Sequence, residues 1–264
     1  MKYAFMSFSC PELSLRDMLT LARDLGYDGV EPRVAAKHAH GIETDASASE
    51  RSAARDLAAE IGTPFCCVAT SCRYADPATT QENVDETLRS IDLAADIGAP
   101  TIRVFGGSIA EDLSREAAVE LVAGALQSVA EHAADRGVTV CMETHDAWCD
   151  PCHVACVMTH VGHPAVAVNW DIMHPIRRGN STMSEAFASL KDWVRHVHFH
   201  DGTSQASLSL VPIGTGDIDH QTAVELLARM GYDGFLSGEW INWEPYAEHL
   251  PRELAAMKAY ESSL

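Results

Sequence analysis

Short runs of apolar and β-branched residues alternate along the chain with longer segments that carry apolar residues at helical spacing. The short runs predict strands at residues 3–8, 28–32, 64–70, 100–105, 138–143, 165–171, 195–200 and 234–239. The longer segments predict helices at residues 14–25, 48–61, 81–97, 114–136, 182–191, 221–230 and 248–261. Helices that alternate with strands indicate parallel pairing through right-handed crossovers.

Strands and helices that alternate in this way over 264 residues fit a closed barrel better than an open doubly wound sheet. A short internal repeat supports equivalent strand–helix units, because Leu-Gly-Tyr-Asp-Gly at 25–29 resembles Met-Gly-Tyr-Asp-Gly at 230–234. No change of composition and no linker rich in proline or serine divides the chain. The sequence therefore predicts an α/β protein with a single (β/α)8 TIM-barrel domain over residues 1–264.

The charge balance limits the partners of this chain. Asp and Glu number 38 against 19 Lys and Arg, which gives a formal net charge of −19. Because neutralised phosphates supply most of the affinity for nucleic acid, neither nucleic acid nor an anionic membrane is an expected partner. We expect a neutral or weakly charged small molecule together with a cation, and assembly into a homo-oligomer stays open.

The cysteines indicate a reducing compartment. The apolar run at the N-terminus is too short for a secretory signal, and a chain of this length can build a core without disulfides. We therefore expect reduced thiols and a cytoplasmic location. The segment Cys149-Asp-Pro-Cys152-His153 matches a haem-attachment motif, but that chemistry requires export, so we interpret the match as coincidence.

Polar side chains lie at the C-terminal ends of the last four predicted strands. The active site of a TIM barrel lies at the C-terminal ends of its strands. Strand five ends in Glu143, strand six in Asp171 and strand eight in Glu239. Strand seven carries three histidines at alternate positions from His196 to His200, of which only one or two can reach the same ion. Oxygen donors with an imidazole suit one divalent ion, Mn²⁺ first, with Mg²⁺, Co²⁺ or Zn²⁺ as alternatives.

Several of these motifs resemble one family. The Glu that ends strand five, the Asp-x-x-His from Asp171 to His174, the His-x-His-Asp from His198 to Asp201 and the strand-eight Glu look like the xylose-isomerase-like sugar phosphate isomerase/epimerase superfamily. The segments 212–219 and 29–31 resemble its loop after strand seven and the end of its second strand. The resemblance covers nearly the whole chain and implies a TIM barrel.

The resemblance also implies roles for individual residues. Glu143, Asp171, His198 and Glu239 would be the metal ligands, and Glu143 and Glu239 would also be the catalytic acid and base. Many members of the superfamily carry lysine where His200 stands. An imidazole at that position weakens the argument for a carboxylate or phosphate on the substrate, and it allows His200 to donate a proton.

The expected function is a divalent-metal-dependent isomerase or epimerase of a ketose, aldose or keto-polyol. A metal ion beside a carbonyl and a hydroxyl oxygen lowers the cost of removing the proton between them. Two carboxylates in different environments would then serve as base and acid through an ene-diolate. A non-catalytic sugar-binding protein would leave these two carboxylates without a purpose.

Two other enzyme classes stay open. Loss of a neighbouring hydroxyl would make the same scaffold a lyase, either a dehydratase of the inosose or 3-dehydroshikimate type or an enzyme that cleaves a carbon–glycosyl bond. An abasic-site endonuclease has a similar fold, but it would need a basic rim facing DNA and further zinc ligands on strands two and three.

Further residues are predicted to contact the substrate, namely His174, Arg103, His145, His200 and Trp240. Arg103 would either hydrogen-bond a substrate oxygen or pair with a buried glutamate. An indole ring such as that of Trp240 would stack on the apolar face of a sugar. The Gly-, Ser- and Thr-rich segment 201–219 is long enough to predict a lid or binding loop.

Overall fold

The structure of the protein, a computed structural model, describes residues 1–203 and 209–264. Within these residues eight parallel strands form one sheet. Their bounds are β1 Lys2–Met6, β2 Gly29–Glu31, β3 Val68–Arg73, β4 Thr101–Phe105, β5 Thr139–Glu143, β6 Val166–Asp171, β7 Val194–Phe199 and β8 Phe235–Gly238. The predicted α/β class is confirmed.

The sheet is curled until its two edge strands meet. The strand order is β2-β1-β8-β7-β6-β5-β4-β3, so β2 and β3 are the edges. Val30 forms a parallel bridge with Phe65, and Arg33 forms another with Ala69. The amide of Cys66 donates to the carbonyl of Val30 at 2.9 Å. These contacts bring the ends of the sheet together, as the predicted single (β/α)8 TIM barrel requires.

In the described part of the chain a longer helix follows each strand. The bounds are α1 Leu15–Leu25, α2 Ala48–Ile61, α3 Thr80–Ile97, α4 Arg115–Arg136, α5 Pro151–Val161, α6 Met183–Leu190, α7 His220–Met230 and α8 Tyr246–Ser262. Local signals set several starts. In α2 the Ser47 hydroxyl accepts from the Glu50 amide and the Glu50 carboxylate accepts from the Ser47 amide, an arrangement that stabilises a helix by about 1 kcal/mol.

Helix α5 is absent from the sequence-based prediction, which interprets its residues only as a cysteine motif. The Asp150 carboxylate accepts from the amide of Cys152, and Pro151 occupies the first turn, so the segment has ordinary start signals. Cys152 and Cys156 lie exposed on this helix. All eight cysteines are free thiols in the structure.

Along the strands, apolar side chains that belong to the main core alternate with a second set of buried side chains, several of which are polar. Val140 and Met142 belong to the apolar core, whereas Glu143 at the end of the same strand is buried within the barrel. Trp170 likewise packs outward against Phe187, while its neighbour Asp171 is buried at the site described below. No helix among the described residues is long and apolar enough to cross a membrane.

The loop after β7 is built around Asp201. Residues Asp201–Gly202 pair antiparallel with Leu210–Val211. Residues 204–208 of the predicted lid lie outside the described part of the chain. Beyond the hairpin, the Asp201 carboxylate accepts from the backbone amides of Gly214 and Gly216 at 2.8 and 3.0 Å.

The strand-seven motif that ends at Asp201 and the segment 212–219 therefore form one structural unit. The Asp201 carboxylate also accepts from the amides of Gly202 and Ile218, at 2.8 and 3.3 Å. A Cβ atom on Gly216 would lie 2.3 Å from Asp201 Oδ1, so the loop needs glycine there for the backbone to approach the carboxylate. The final Asp of the strand-seven motif thus folds the segment 212–219.

Replacing Asp201 by alanine should therefore lower the free energy of unfolding by about 2–3 kcal/mol, because buried amides lose a charged acceptor. Denaturant titration followed by circular dichroism measures this change. The control is Asp135→Asn on the exposed surface of α4, which should change stability by less than about 0.5 kcal/mol. Equal stability of the two variants would show that Asp201 does not hold the loop.

Candidate active site

Four of the residues singled out from the sequence meet at the C-terminal end of the barrel. Glu143, Asp171, His198 and Glu239 each offer a ligand atom, and these atoms lie within 4.8 Å of one another. The register explains part of this convergence, because Asp171 and His198 are direct neighbours on β6 and β7. Three of the four side chains are fully buried, while Glu239 keeps 8% of its surface exposed.

The hydrogen bonds of His198 define which nitrogen faces the cluster. Its Nε2 lies 3.1 and 3.2 Å from the two carboxylate oxygens of Glu31. Its Nδ1 lies 3.0 Å from Glu143 Oε1 and 3.3 Å from Glu239 Oε2. When Nε2 carries the proton and donates it to Glu31, the lone pair of Nδ1 points at two carboxylates.

Glu31 joins the hydrogen-bond network of the candidate site, although sequence reasoning placed it only in a strand-end motif. It is fully buried and accepts from His196 Nε2 at 2.9 Å as well as from His198. His196 therefore contacts Glu31 and stays outside the four-residue cluster. The signal that could have identified Glu31 is the one used for the other strands, since it ends β2.

Burial and charge act in opposite directions on these groups. Burial favours a raised pKa for the Glu31 carboxyl, but the charges of His198 and His196 hold that pKa well below its usual value. Burial favours a lowered pKa for His198, yet the carboxylates of Glu31 and Glu143 raise it well above its usual value. For Glu239 the hydrogen bond and charge of His198 outweigh burial and lower the pKa to about 2.

Arg103 lies beneath the two glutamates and is 1% exposed. Its Nε is 3.1 Å from Glu143 Oε2, and its Nη2 is 3.9 Å from Glu239 Oε1. Its Nη1 donates to the carbonyl of Thr70 at 2.7 Å. Of the two roles left open by the sequence, this geometry is that of a buried partner for Glu143, and direct contact of Arg103 with a substrate stays a prediction.

Three imidazoles surround the opening of the site. His200 Nδ1 donates to the carbonyl of Glu239 at 2.9 Å, so its Nε2 faces Asp171 Oδ2 at 2.9 Å. His174 Nε2 is 3.7 Å from the same oxygen. His145 meets His174 edge to face, with ring centroids 4.5 Å apart. The Asp171 carboxylate thus links the four-residue cluster to the histidines.

A cavity of about 280 Å³ opens above this cluster. It is lined by His145, His174, His200, Leu210, Glu239, Ile241, Asn242 and Trp243. Three predicted substrate contacts therefore line the cavity. Trp240 is 1% exposed and packs against Phe199 instead of lining the cavity. Trp243 lines the cavity and lies against Trp240 with ring centroids 6.4 Å apart.

The donor set fits a divalent cation. Glu143 Oε2 and Asp171 Oδ2 are buried without a hydrogen bond among the described residues, although Arg103 and His200 lie close to them. Three carboxylates around the lone pair of one imidazole repel each other unless a positive charge lies between them. Carboxylate oxygens and one imidazole nitrogen are ligands that Mn²⁺, Mg²⁺, Co²⁺ and Zn²⁺ accept.

Two smaller groups of candidate ligands occur among the described residues, and one of them shares Asp171 with this cluster. Asp171, His174 and His200 lie close together at the cavity. Glu31, Cys66 and His196 form another group inside the barrel, where all three are buried. The second group places Glu31 of β2 beside Cys66, but both residues are buried and so cannot form an exposed rim where DNA would bind.

Comparison with known proteins identifies the family. A model of the xylose isomerase-like TIM barrel matches residues 19–260. The chain belongs to this family. Enzymes of the xylose isomerase-like superfamily modify sugars and generally depend on a metal ion. A search of curated proteins finds no match.

Solved structures of xylose isomerase-like proteins share the fold over nearly their full length. An L-ribulose 3-epimerase has a TM-score of 0.81 at 18% identity, covering 99% of this chain and 95% of that chain. A 3-keto-D-glucoside 4-epimerase from E. coli has 0.81 at 16% identity, covering 98% and 99%. A probable 3-DHS dehydratase from Bacillus anthracis has 0.78 at 19% identity, covering 98% of each chain. At such identities the likeness establishes the fold and leaves the reaction open.

The buried position of Arg103 leads to a test of the electrostatics. Replacing Arg103 by methionine should destabilise the metal-free protein by about 3–5 kcal/mol, because buried carboxylates lose their cation. Denaturant titration in the presence of EDTA measures the loss.

The matched control is Arg16→Met, which breaks an exposed ion pair with Glu60 and should cost less than about 1 kcal/mol. A loss at position 103 no larger than the loss at position 16 would contradict the assignment of Arg103 as the charge that holds Glu143 and Glu239 together.

Proposed function

We propose that this member of the xylose isomerase-like family is a divalent-metal-dependent isomerase or epimerase of a ketose, aldose or keto-polyol. The observation that carries the proposal is the position of the Glu143 and Glu239 carboxylates 3.0 and 3.3 Å from His198 Nδ1, with Glu239 also lining the cavity. In this proposal one metal ion, Mn²⁺ first and Mg²⁺, Co²⁺ or Zn²⁺ as alternatives, is held by these three residues and Asp171.

The bound cation would polarise a carbonyl and an adjacent hydroxyl oxygen of the substrate and so acidify the C–H bond between them. Glu239 lines the cavity, and in this proposal its carboxylate takes that proton. Glu143 is fully buried and paired with Arg103, so its environment differs from that of Glu239. Two carboxylates in unlike surroundings suit the separate roles of base and acid.

His145, His174 and His200 line the cavity and would orient the substrate hydroxyls by hydrogen bonds. The side chain of Trp243 offers an apolar face against which a sugar ring can pack. The same proposal includes these substrate contacts. It also includes a single domain over residues 1–264 and a cytoplasmic location.

A second candidate is a metal-dependent dehydratase. The three imidazoles at the cavity are the observation that favours it, because a protonated imidazole can donate to a hydroxyl that leaves the carbon next to the ionised one. The charge of Asp171 outweighs burial and raises the pKa of His200, which increases its protonated fraction near neutral pH. The mass of the product separates the two reactions, since dehydration removes one water.

Metal binding is the first test of the proposal. The purified chain, incubated with MnCl₂ and desalted, should retain one ion per chain by elemental analysis, and EDTA should remove it. His198→Ala should abolish retention because it removes the imidazole ligand. His160→Ala, at an exposed position of α5, is the control that should retain the ion. Equal metal content in both folded variants would exclude His198 as a ligand.

Proton exchange is the second test. With Mn²⁺ present, the enzyme should exchange the C–H next to the carbonyl of a ketose or cyclic ketone with solvent deuterium, as measured by NMR over a panel of substrates. Glu143→Gln and Glu239→Gln should each slow exchange by about 10²–10⁴-fold, the usual contribution of a general acid or base. Glu120→Gln, on the exposed surface of α4, should exchange at the wild-type rate. Rapid exchange by both site variants would contradict the two-carboxylate mechanism.

A further inference from the structure

A second set of metal-ligating side chains lies inside the barrel, and the proposed reaction does not use it as a ligand set. Glu31, Cys66 and His196 each offer one ligand atom, and these three atoms lie within 4.8 Å of one another. All three residues are buried, with at most 1% of their surface exposed. None of them lines the cavity above the four-residue cluster. We call these three residues the interior triad.

The interior triad connects the two edge strands of the sheet to a third strand. Glu31 ends β2, Cys66 lies two residues before β3 begins at Val68, and His196 belongs to β7. The amide of Cys66 donates to the carbonyl of Val30 where the two edges meet. An ion bound to the interior triad would therefore cross-link the barrel at its closure.

The donor atoms of the interior triad suit Zn²⁺. Cysteine sulfur, histidine nitrogen and carboxylate oxygen are the protein ligands of zinc, whereas Mg²⁺ and Mn²⁺ prefer sites made of oxygen donors. Ser237 on β8 supplies a fourth donor. It is fully buried, and its hydroxyl has no hydrogen-bond partner among the residues that the structure describes. The same hydroxyl favours the charged form of the Cys66 thiol, which relates it to the triad.

The charges of the interior triad match those of a divalent ion. Glu31 Oε2 lies 2.9 Å from His196 Nε2, while its Oε1 lies 3.1 Å from His198 Nε2. Without an ion, burial raises the pKa of the Cys66 thiol well above its usual value, so the thiol is neutral. Zinc would displace the thiol proton to solvent. The resulting thiolate and the Glu31 carboxylate would balance the two positive charges of the ion.

We propose that the interior triad, with Ser237 as the fourth donor, binds one structural Zn²⁺ that is separate from the ion of the candidate active site. The inference is independent of the proposed function, because no residue of the four-residue cluster belongs to the interior triad. Since every ligand is buried, this ion is taken up as the chain folds and stays bound when the folded protein is treated with a chelator.

Cobalt substitution tests the site directly. Co²⁺ bound to a thiolate gives a charge-transfer band in the near ultraviolet, which Co²⁺ bound to oxygen and nitrogen alone does not give. The full chain is produced in minimal medium with CoCl₂, and the exposed Cys152 and Cys156 are replaced by serine to remove surface thiols. After the folded protein is treated with EDTA, we expect the band and one Co²⁺ per chain. Cys66→Ser should abolish both.

The matched control is Cys67→Ser, which changes a neighbouring buried thiol outside the interior triad and should keep the band and the ion. A second variant, His196→Gln, removes the imidazole ligand and should lower the retained cobalt at least tenfold, which keeps the test decisive if Cys66→Ser fails to fold. A folded parent chain without the band overturns the inference. A band that persists in Cys66→Ser, or full cobalt retention in His196→Gln, also overturns it.

The structural role of the ion is tested by thermal unfolding. Protein from zinc-supplemented and zinc-depleted medium is treated with EDTA in the folded state, and the two midpoints are compared. The zinc-supplemented protein should unfold several degrees higher, because an ion that binds only the folded state stabilises it. Cys66→Ser should unfold at one temperature from both media. Equal midpoints in the parent protein overturn the structural role, and they leave the manganese and exchange tests of the proposed function unaffected.

Discussion

The arrangement of charges around His198 is the interaction on which the rest of the site depends. Glu31 holds Nε2 of the ring, so Nδ1 is directed at the carboxylates of Glu143 and Glu239. Burying several carboxylates costs free energy unless cations compensate them. Arg103 and the imidazoles provide part of that compensation, and a divalent ion among the carboxylates would provide the rest.

The barrel fold brings these charged side chains together without disrupting the apolar core. Parallel strands end together, so groups that are far apart in sequence are brought to one end, while the apolar faces of the same strands pack against the helices. The loops then adapt the common end to a particular ligand. Asp201 folds the segment after β7 by accepting from backbone amides, and the short helix Met173–Arg177 after β6 carries His174.

The site residues differ in how well the sequence predicts them. Glu143, Asp171 and Glu239 are predictable because strand ends can be located from the apolar pattern and the fold places them together. Glu31 is harder to recognise, because its partners His196 and His198 lie on a strand that is distant in sequence. Trp240 and Trp243 follow the same strand, and only packing decides that Trp240 is buried while Trp243 lines the cavity.

The sequence by itself determined the alternation of strands and helices, hence the parallel barrel, and it determined which strand ends carry carboxylates and imidazoles. Those properties are local, since periodicity and chain order decide them. Only the tertiary structure decided which nitrogen of His198 faces the cluster, that Arg103 pairs with Glu143, and that His145, His174 and His200 line one cavity. These features depend on distances across the barrel between residues up to 167 positions apart, which no local pattern encodes.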